Sequence, residues 1–171
     1  TITWEHFNVD VNWHLGHRLS RKIAAKYSDL IVTLTEPAAQ AYKTQFKAKN
    51  AICIYNPVTV DASEPSKLDK KVCMAMGWLG AQKNFIDLIN AWHLTKARKE
   101  GWKLRIIGQG KQKSMLENRI NELGLNDSIE MLPPQKNVVE QYKNASVYAM
   151  SSRNEGLPLV LIEAMAMGLP I

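Results

Sequence analysis

The sequence predicts an α/β protein built on parallel sheets and arranged as two successive units. Three observations carry that prediction. Short apolar runs alternate along the chain with segments of helical periodicity, a pattern that implies right-handed crossovers between parallel strands. One of the runs, Leu30-Ile-Val-Thr-Leu34, is continuously apolar, as strands covered on both faces are. Between 58 and 71 the pattern lapses: Asp61, Ser63, Glu64, Pro65 and Ser66 lead into a charged run with little periodicity, which reads as a linker. Residues 1–57 then make one unit and 72–171 the other.

Thr1–Trp4 reads as a short strand, with Glu5-His6-Phe7-Asn8 as the loop at its carboxyl end. Residues 14–27 follow as a helix, with Leu15, Leu19 and Ile23 in an apolar stripe and Arg18, Arg21, Lys22 and Lys26 on a basic face. Such a face suits contact with a membrane surface or plain solvation. After the strand 30–34, Thr35 or Glu36 caps a helix that carries Pro37 in its first turn. Ala51–Tyr55 is the third strand, ending at Asn56-Pro57.

The second unit opens with strand Val72–Met76 and the turn Gly77-Trp78-Leu79-Gly80-Ala81-Gln82-Lys83-Asn84. Phe85, Leu88, Ile89 and Trp92 recur at helical spacing in a helix reaching about Arg98. Strand Trp102–Ile107 breaks at Gly108-Gln109-Gly110, which lacks the third glycine of a dinucleotide fingerprint and counts as a tight turn. The next helix turns Met115, Leu116, Ile120 and Leu123 inward and stops at Gly124. Ile129–Leu132 is a short strand ended by Pro133-Pro134, Val138–Asn144 a short helix, and Ser146–Met150 the last strand. Ligands of such folds bind beyond the carboxyl ends of the strands, where His6, Lys83 and Glu155 all fall.

Composition narrows the function classes. A hydrophobic content of 46% and a charged content of 22% are those of a globular protein. The longest apolar run, 156–171, is interrupted by Glu163 and Gly168 and falls short of a membrane span. The start of the chain has no signal-peptide layout. Both ends read as cut: the chain opens in a strand without an initiating Met and stops at Leu169-Pro170-Ile171, the start of a further strand. Cys53 and Cys73 lie in apolar runs without metal spacing and read as reduced, buried thiols of a cytoplasmic protein. A formal charge of +6 and a pI near 9.3 call for an acidic partner: nucleotide phosphates, an anionic membrane or nucleic acid. The basic residues are dispersed, without interleaved aromatics, which argues against nucleic acid.

The most informative stretch is the last. Two carboxylates, Glu155 and Glu163, bracket a strand-to-helix junction with seven residues between them, and from Gly156 to Ile171 Glu163 is the only polar side chain. Its helix reads as buried nearly all round, and a carboxylate there requires hydrogen-bond partners. The N–H groups of Gly156 and Leu157 at the helix start favour an anion. One reading is a phosphate cradle with two acceptors for hydroxyl groups; the other is Glu163 capping a neighbouring loop beside a solvated Glu155.

Four motifs in order then make the chain resemble a known family. They are Asn56-Pro57-Val58; Gly77-x-Leu79 with Gln82-Lys83-Asn84-Phe85; Ile107-Gly108-x-Gly110; and Glu155-Gly-Leu-Pro-Leu-Val-Leu-Ile-Glu163-Ala-Met-Ala-x-Gly168-x-Pro170. Along its whole length the chain resembles the retaining glycosyltransferases of family 4, whose GT-B fold has two facing Rossmann-like domains. The resemblance implies that 1–57 is the end of the acceptor-side domain, 58–71 the linker and 72–171 a donor domain incomplete at its C-terminus. It implies transfer of a sugar from a nucleotide-sugar to a glycan or polyprenyl-linked acceptor, in polysaccharide or glycoconjugate biosynthesis. No metal and no cofactor beyond the nucleotide-sugar substrate is implied. The implied location is the cytoplasm, at the inner face of the membrane where the acceptor is lipid-linked.

Roles follow from the same resemblance. Gly77 opens the first phosphate loop, and Lys83 meets the donor's diphosphate as a point charge. The backbone of Gly156 and Leu157 holds the same phosphates. Glu155 takes hydroxyls of the donor sugar, and Glu163 takes the two ribose hydroxyls. His6 matches a histidine that reaches towards the donor sugar, against the plain alternative of an ordinary loop histidine. Two departures stand out. The family carries an arginine directly after the glycine of its first phosphate loop, where this chain has Trp78, and the glycine-rich acceptor loop is absent. Trp78 motivates a competing reading as a non-catalytic nucleotide-sugar-binding protein of the same fold. An epimerase or phosphorylase of the fold ranks below both, and nucleic-acid binding lowest.

Overall fold

A computed structural model describes residues 1–9 and 15–171. They fall into two compact units, one of Thr1–Pro57 with Asn154–Pro158 and the other of Val58–Arg153 with Leu159–Ile171.

The first unit is a three-stranded parallel sheet in the order β1-β2-β3, with β1 at Ile2–Glu5, β2 at Leu30–Thr33 and β3 at Ala51–Cys53. β2 is central, and Ile31, Val32, Thr33 and Leu34 are buried as a two-sided strand requires. Helix α1 (Leu15–Tyr27) links β1 to β2, and α2 (Glu36–Gln45) links β2 to β3. Thr35 caps α2 by accepting the Ala38 N–H on its hydroxyl at 3.4 Å, with Pro37 in the first turn. Tyr42, Ile31 and Ala51 sit at the heart of the core. The expected strand 51–55 is shorter than its apolar run, since regular pairing stops at Cys53.

Helix α1 corrects the sequence reading; its expected first residue, His14, lies outside the described residues. Leu19 and Ile23 of the apolar stripe are 59% and 51% exposed, while Arg21, assigned to the basic face, is buried with only 4% exposed, as is Ala25 with 2%. The helix packs through Ala25, whose small side chain lets it come close, and through one arginine that satisfies buried acceptors.

The second unit is a four-stranded parallel sheet in the order β6-β5-β4-β7. Its strands are β4 (Val72–Met76), β5 (Lys103–Ile107), β6 (Ile129–Leu132) and β7 (Val147–Tyr148). Helices α3 (Phe85–Leu94) and α4 (Lys113–Glu122) cover one face. Helices α5 (Val138–Lys143) and α6 (Leu159–Ala166) cover the other. The period-two alternation of β4 divides the core: Cys73 and Ala75 join Leu104, Ile106, Ile89 and Leu116, whereas Met74 joins Tyr142, Tyr148 and Ala164. Residues 58–71 have no regular structure, yet they are held to this unit. Val60 and Ala62 pack on its core, and Ser66 N–H donates to the Met167 carbonyl at 2.9 Å.

Four details depart from expectation. α3 stops at Leu94, not near Arg98, because Thr95 turns extended and donates both its N–H (3.1 Å) and its hydroxyl (2.9 Å) to the Trp92 carbonyl. In α4, Leu116 and Ile120 are buried but Met115 is 42% exposed, one residue and about 100° away from the inward stripe. α6 is not buried all round: Leu159 is 40% and Met165 62% exposed, and only one face, with Glu163 and Ala164, meets the core. Cys73 is buried but Cys53 only half-buried, and neither forms a disulfide.

Candidate functional site

In the second unit the loops after β4, β5 and β6 meet at the carboxyl edge of the sheet. Gly77 N–H donates to the Ile107 carbonyl at 3.0 Å and Leu79 N–H to the Gln109 carbonyl at 2.8 Å. This docking leaves no room for a side chain at the second loop: a Cβ on Gly108 would lie 1.9 Å from the Gly77 carbonyl oxygen. The turn Gly108-x-Gly110 is therefore a close approach of two backbones. A pocket of about 270 Å³ opens there, lined by Gly77, Trp78, Gly108, Gln109, Pro134 and Gln135 among others.

Lys83 closes this loop upon itself. A Cβ on Gly77 would stand 3.0 Å from Lys83 Cε, so the lysine's aliphatic stem lies across the glycine. Asn84, in the left-handed conformation at φ 53°, turns the chain into α3. Trp78 is 56% exposed, with its indole against Gly80, where a Cβ would come within 2.8 Å of the ring. The segment after β7 is stitched to the same turn: Ser151 hydroxyl donates to the Lys83 carbonyl at 2.8 Å, and Arg153 N–H to the Gln82 carbonyl at 2.8 Å.

Glu163 lies on α6 and is buried, with 9% of its surface exposed. Its carboxylate has two hydroxyl donors, Tyr142 at 2.8 Å and Thr59. Tyr142 comes from α5 and Thr59 from the segment after Pro57, so three separate parts of the chain converge on one carboxylate. Burial first, and then the bond to Glu163, pushes the Tyr142 phenol well above its usual range and keeps it a donor.

In the first unit His6 is exposed at the carboxyl end of β1, its ring parallel to Trp4 with centroids 5.9 Å apart. Behind it is a buried network. Glu5 accepts Arg21 Nε at 2.8 Å, the Tyr42 hydroxyl at 2.8 Å and the Phe7 N–H at 3.1 Å. Arg21 donates further to the carbonyls of Val9 at 2.8 Å and Asn8 at 3.1 Å, which holds the loop after His6. Gly156 meets the same loop: a Cβ there would lie 2.3 Å from the His6 carbonyl oxygen. Leu157 carbonyl accepts Asn56 Nδ2 at 2.8 Å, and Glu155 is half-buried.

Of the residues singled out by sequence, Gly77 and Lys83 come together, and Glu163 stands in the same unit. His6 and Gly156 come together in the first, to which Glu155 and Leu157 also belong. Sequence reasoning missed Tyr142, Thr59 and Arg21, because each acts on a partner 16 or more residues away and carries no local signal. Among the described residues no group of three or more His, Cys, Asp or Glu is placed to hold a metal ion, and no helix is long and apolar enough to cross a membrane.

Comparison with known proteins adds a lineage to this geometry. The family model "Glycosyl transferases group 1" matches residues 59–171. An uncharacterized glycosyltransferase of Haemophilus influenzae is 36% identical over 99% of this chain and 49% of its own length. The amylovoran biosynthesis glycosyltransferase AmsD of Erwinia amylovora is 44% identical over 57% of this chain and 27% of its own length. The chain thus spans half or less of these curated relatives. Among solved structures, S. aureus TarM superposes with a TM-score of 0.86 at 20% identity, covering 99% of this chain and 35% of its own. Anabaena HepE in complex with UDP superposes with a TM-score of 0.81 at 18% identity, covering 99% of this chain and 51% of its own. These likenesses establish the fold as GT-B, with Rossmann-like parallel sheets.

Proposed function

The chain belongs to the glycosyl transferases group 1 family, and from that premise we propose that the protein transfers a sugar from a nucleotide-sugar to a glycan or lipid-linked acceptor with retention of configuration, as family 4 enzymes do. The observation that carries this reading is the pocket at the carboxyl ends of β4, β5 and β6, walled by Gly77 with Lys83 laid across it. A pocket at strand carboxyl ends, with a lysine packed by its stem against the glycine that walls it, suits a nucleoside diphosphate. Solved relatives in complex with UDP support the same class of donor.

In this reading Lys83 offsets charge on the departing diphosphate, and the protein's contribution to catalysis is chiefly electrostatic. Glu163 takes the ribose diol, with Tyr142 and Thr59 orienting its carboxylate. Gly156 and Leu157 bind phosphate through their backbone. Glu155 binds the donor sugar and His6 acts towards it. The leaving group departs on its own phosphate oxygen without a resident metal, so turnover is expected to survive EDTA; loss on chelation with recovery on added Mg²⁺ would refute that part. The acceptor side works at the cytoplasmic membrane face, where a polyprenyl-linked glycan is available.

Trp78 supports a second reading, a nucleotide-sugar-binding protein that does not transfer. The deciding experiment offers the full-length protein a panel of nucleotide-sugars and measures donor hydrolysis and transfer, with Trp78 and with Trp78→Arg. Turnover with Trp78 in place is expected. Nucleotide binding without turnover, or turnover only in Trp78→Arg, would establish the second reading.

A further inference from the structure

We propose that Arg153 is a second cation of the donor diphosphate site, supplied from the loop after β7. The inference rests on the donor-site reading above and extends it to a residue that none of the sequence motifs includes. The sheet order β6-β5-β4-β7 carries the chain outward from β4 on one side and then back across to β7 on the other. β4 and β7 therefore flank the topological switch point, the crevice where open α/β sheets bind their ligands. The loops leaving these two strands are 77–84 and the segment from 149 onward.

Those loops are tied together through the backbone of Gln82 and Lys83 and the side chain of Asn84. Beside the bonds from Ser151 to the Lys83 carbonyl (2.8 Å) and from Arg153 N–H to the Gln82 carbonyl (2.8 Å), Arg153 Nη2 donates to Asn84 Oδ1 at 3.3 Å. Asn84 is anchored in turn by its amide, which donates to Asp87 at 2.7 Å. The guanidinium thus sits beside the Lys83-Asn84 turn, on an exposed side chain fixed by its own backbone.

Charge supplies the reason. The turn 77–84 contains a single cationic residue, Lys83, and the position after Gly77 is taken by Trp78, whose indole lies over Gly80. A diphosphate carries at least two negative charges, and one ammonium offsets only part of them. A planar fork of N–H donors at the same turn matches phosphate oxygens in pairs. The bond to Asn84 is long and between exposed groups, so it yields readily to a phosphate.

The test uses the full-length protein and isothermal titration with UDP, GDP, ADP, CDP and dTDP, then the monophosphate and nucleoside of the base that binds most tightly. Arg153→Ala is expected to weaken diphosphate binding roughly tenfold or more, the scale of a lost charge-assisted hydrogen bond, while nucleoside affinity stays unchanged. Arg153→Lys, which keeps the charge and loses the fork, is expected to fall between the two. Melting curves for both variants should match the parent, since the loop is held by backbone and by Ser151. Undiminished diphosphate affinity in Arg153→Ala, with a loss in Lys83→Ala, would overturn this inference and leave the donor site standing. Equal affinity of the unaltered protein for diphosphate and nucleoside would overturn the donor-site reading itself.

Discussion

Arg21 shows how much a single residue can conceal. Its neighbours in sequence are basic, and it reads as one more charge on a helix face. In the fold its side chain is 5% exposed and that of Glu5 11%, and the pair also engages Tyr42 and two carbonyls of the loop after His6. Removing one member of such a buried pair strands the other: Arg21→Ala is expected to lower stability by about 3 kcal/mol in urea unfolding, and Glu5→Leu with Arg21→Met to recover much of it. Glu163 shows the reverse, a group whose need for partners is legible while the partners are not. Tyr142→Phe removes a donor from a buried carboxylate and is expected to cost about 1–2 kcal/mol. Glu163→Ala should weaken nucleoside binding if the carboxylate takes the ribose. Unfolding at lower urea with unchanged nucleoside affinity would make Glu163 a structural clasp only.

Among the elements, the strands were the most legible and the faces of the helices the least. Seven strands follow from short apolar runs bounded by turn residues, and all seven form among the described residues, with ends that differ where pairing stops early. Helix α1 is placed by its periodicity, yet Leu19 and Ile23 are exposed, because a stripe of large apolar residues does not decide which side packs when Arg21 and Ala25 fit more closely. The loop after β5 is a case where element and site coincide. Gly108 stands where any Cβ would collide with backbone, not with a side chain able to move aside. Gly108→Ala is accordingly expected to destabilise by about 3 kcal/mol and to weaken nucleotide binding with it, since the pocket is built on that contact. An alanine variant as stable as the parent would show that the two loops are not docked in solution.

At the scale of the molecule, the buried hydroxyls and thiol predict the response to alkali. Burial pushes the Cys73 thiol from 9.0 up to about 11, and burial followed by a carboxylate neighbour raises Tyr42 and Tyr142 above the usual phenol range. The folded chain keeps these protons where the unfolded chain releases them. Their contribution to stability is therefore complete below about pH 9 and falls as pH rises, through Cys73 between about 9 and 11 and through the tyrosines from about 10 upward. Thermal melts across that range should show the decline, and Cys73→Ala should remove its first part; a melting temperature constant to pH 11 would contradict the burial of these groups. The α/β architecture, the order of the strands along the chain and the likeness to glycosyltransferases were legible in the sequence alone, because apolar periodicity and short motifs are local properties that survive without a fold. Which strands are neighbours, which helix faces are buried, and which distant side chains stand beside Glu163, Glu5 and the Lys83 turn became visible only in the folded chain. Those are meetings of residues far apart along the chain, set by packing and by the need to satisfy buried polar groups, and no local pattern encodes them.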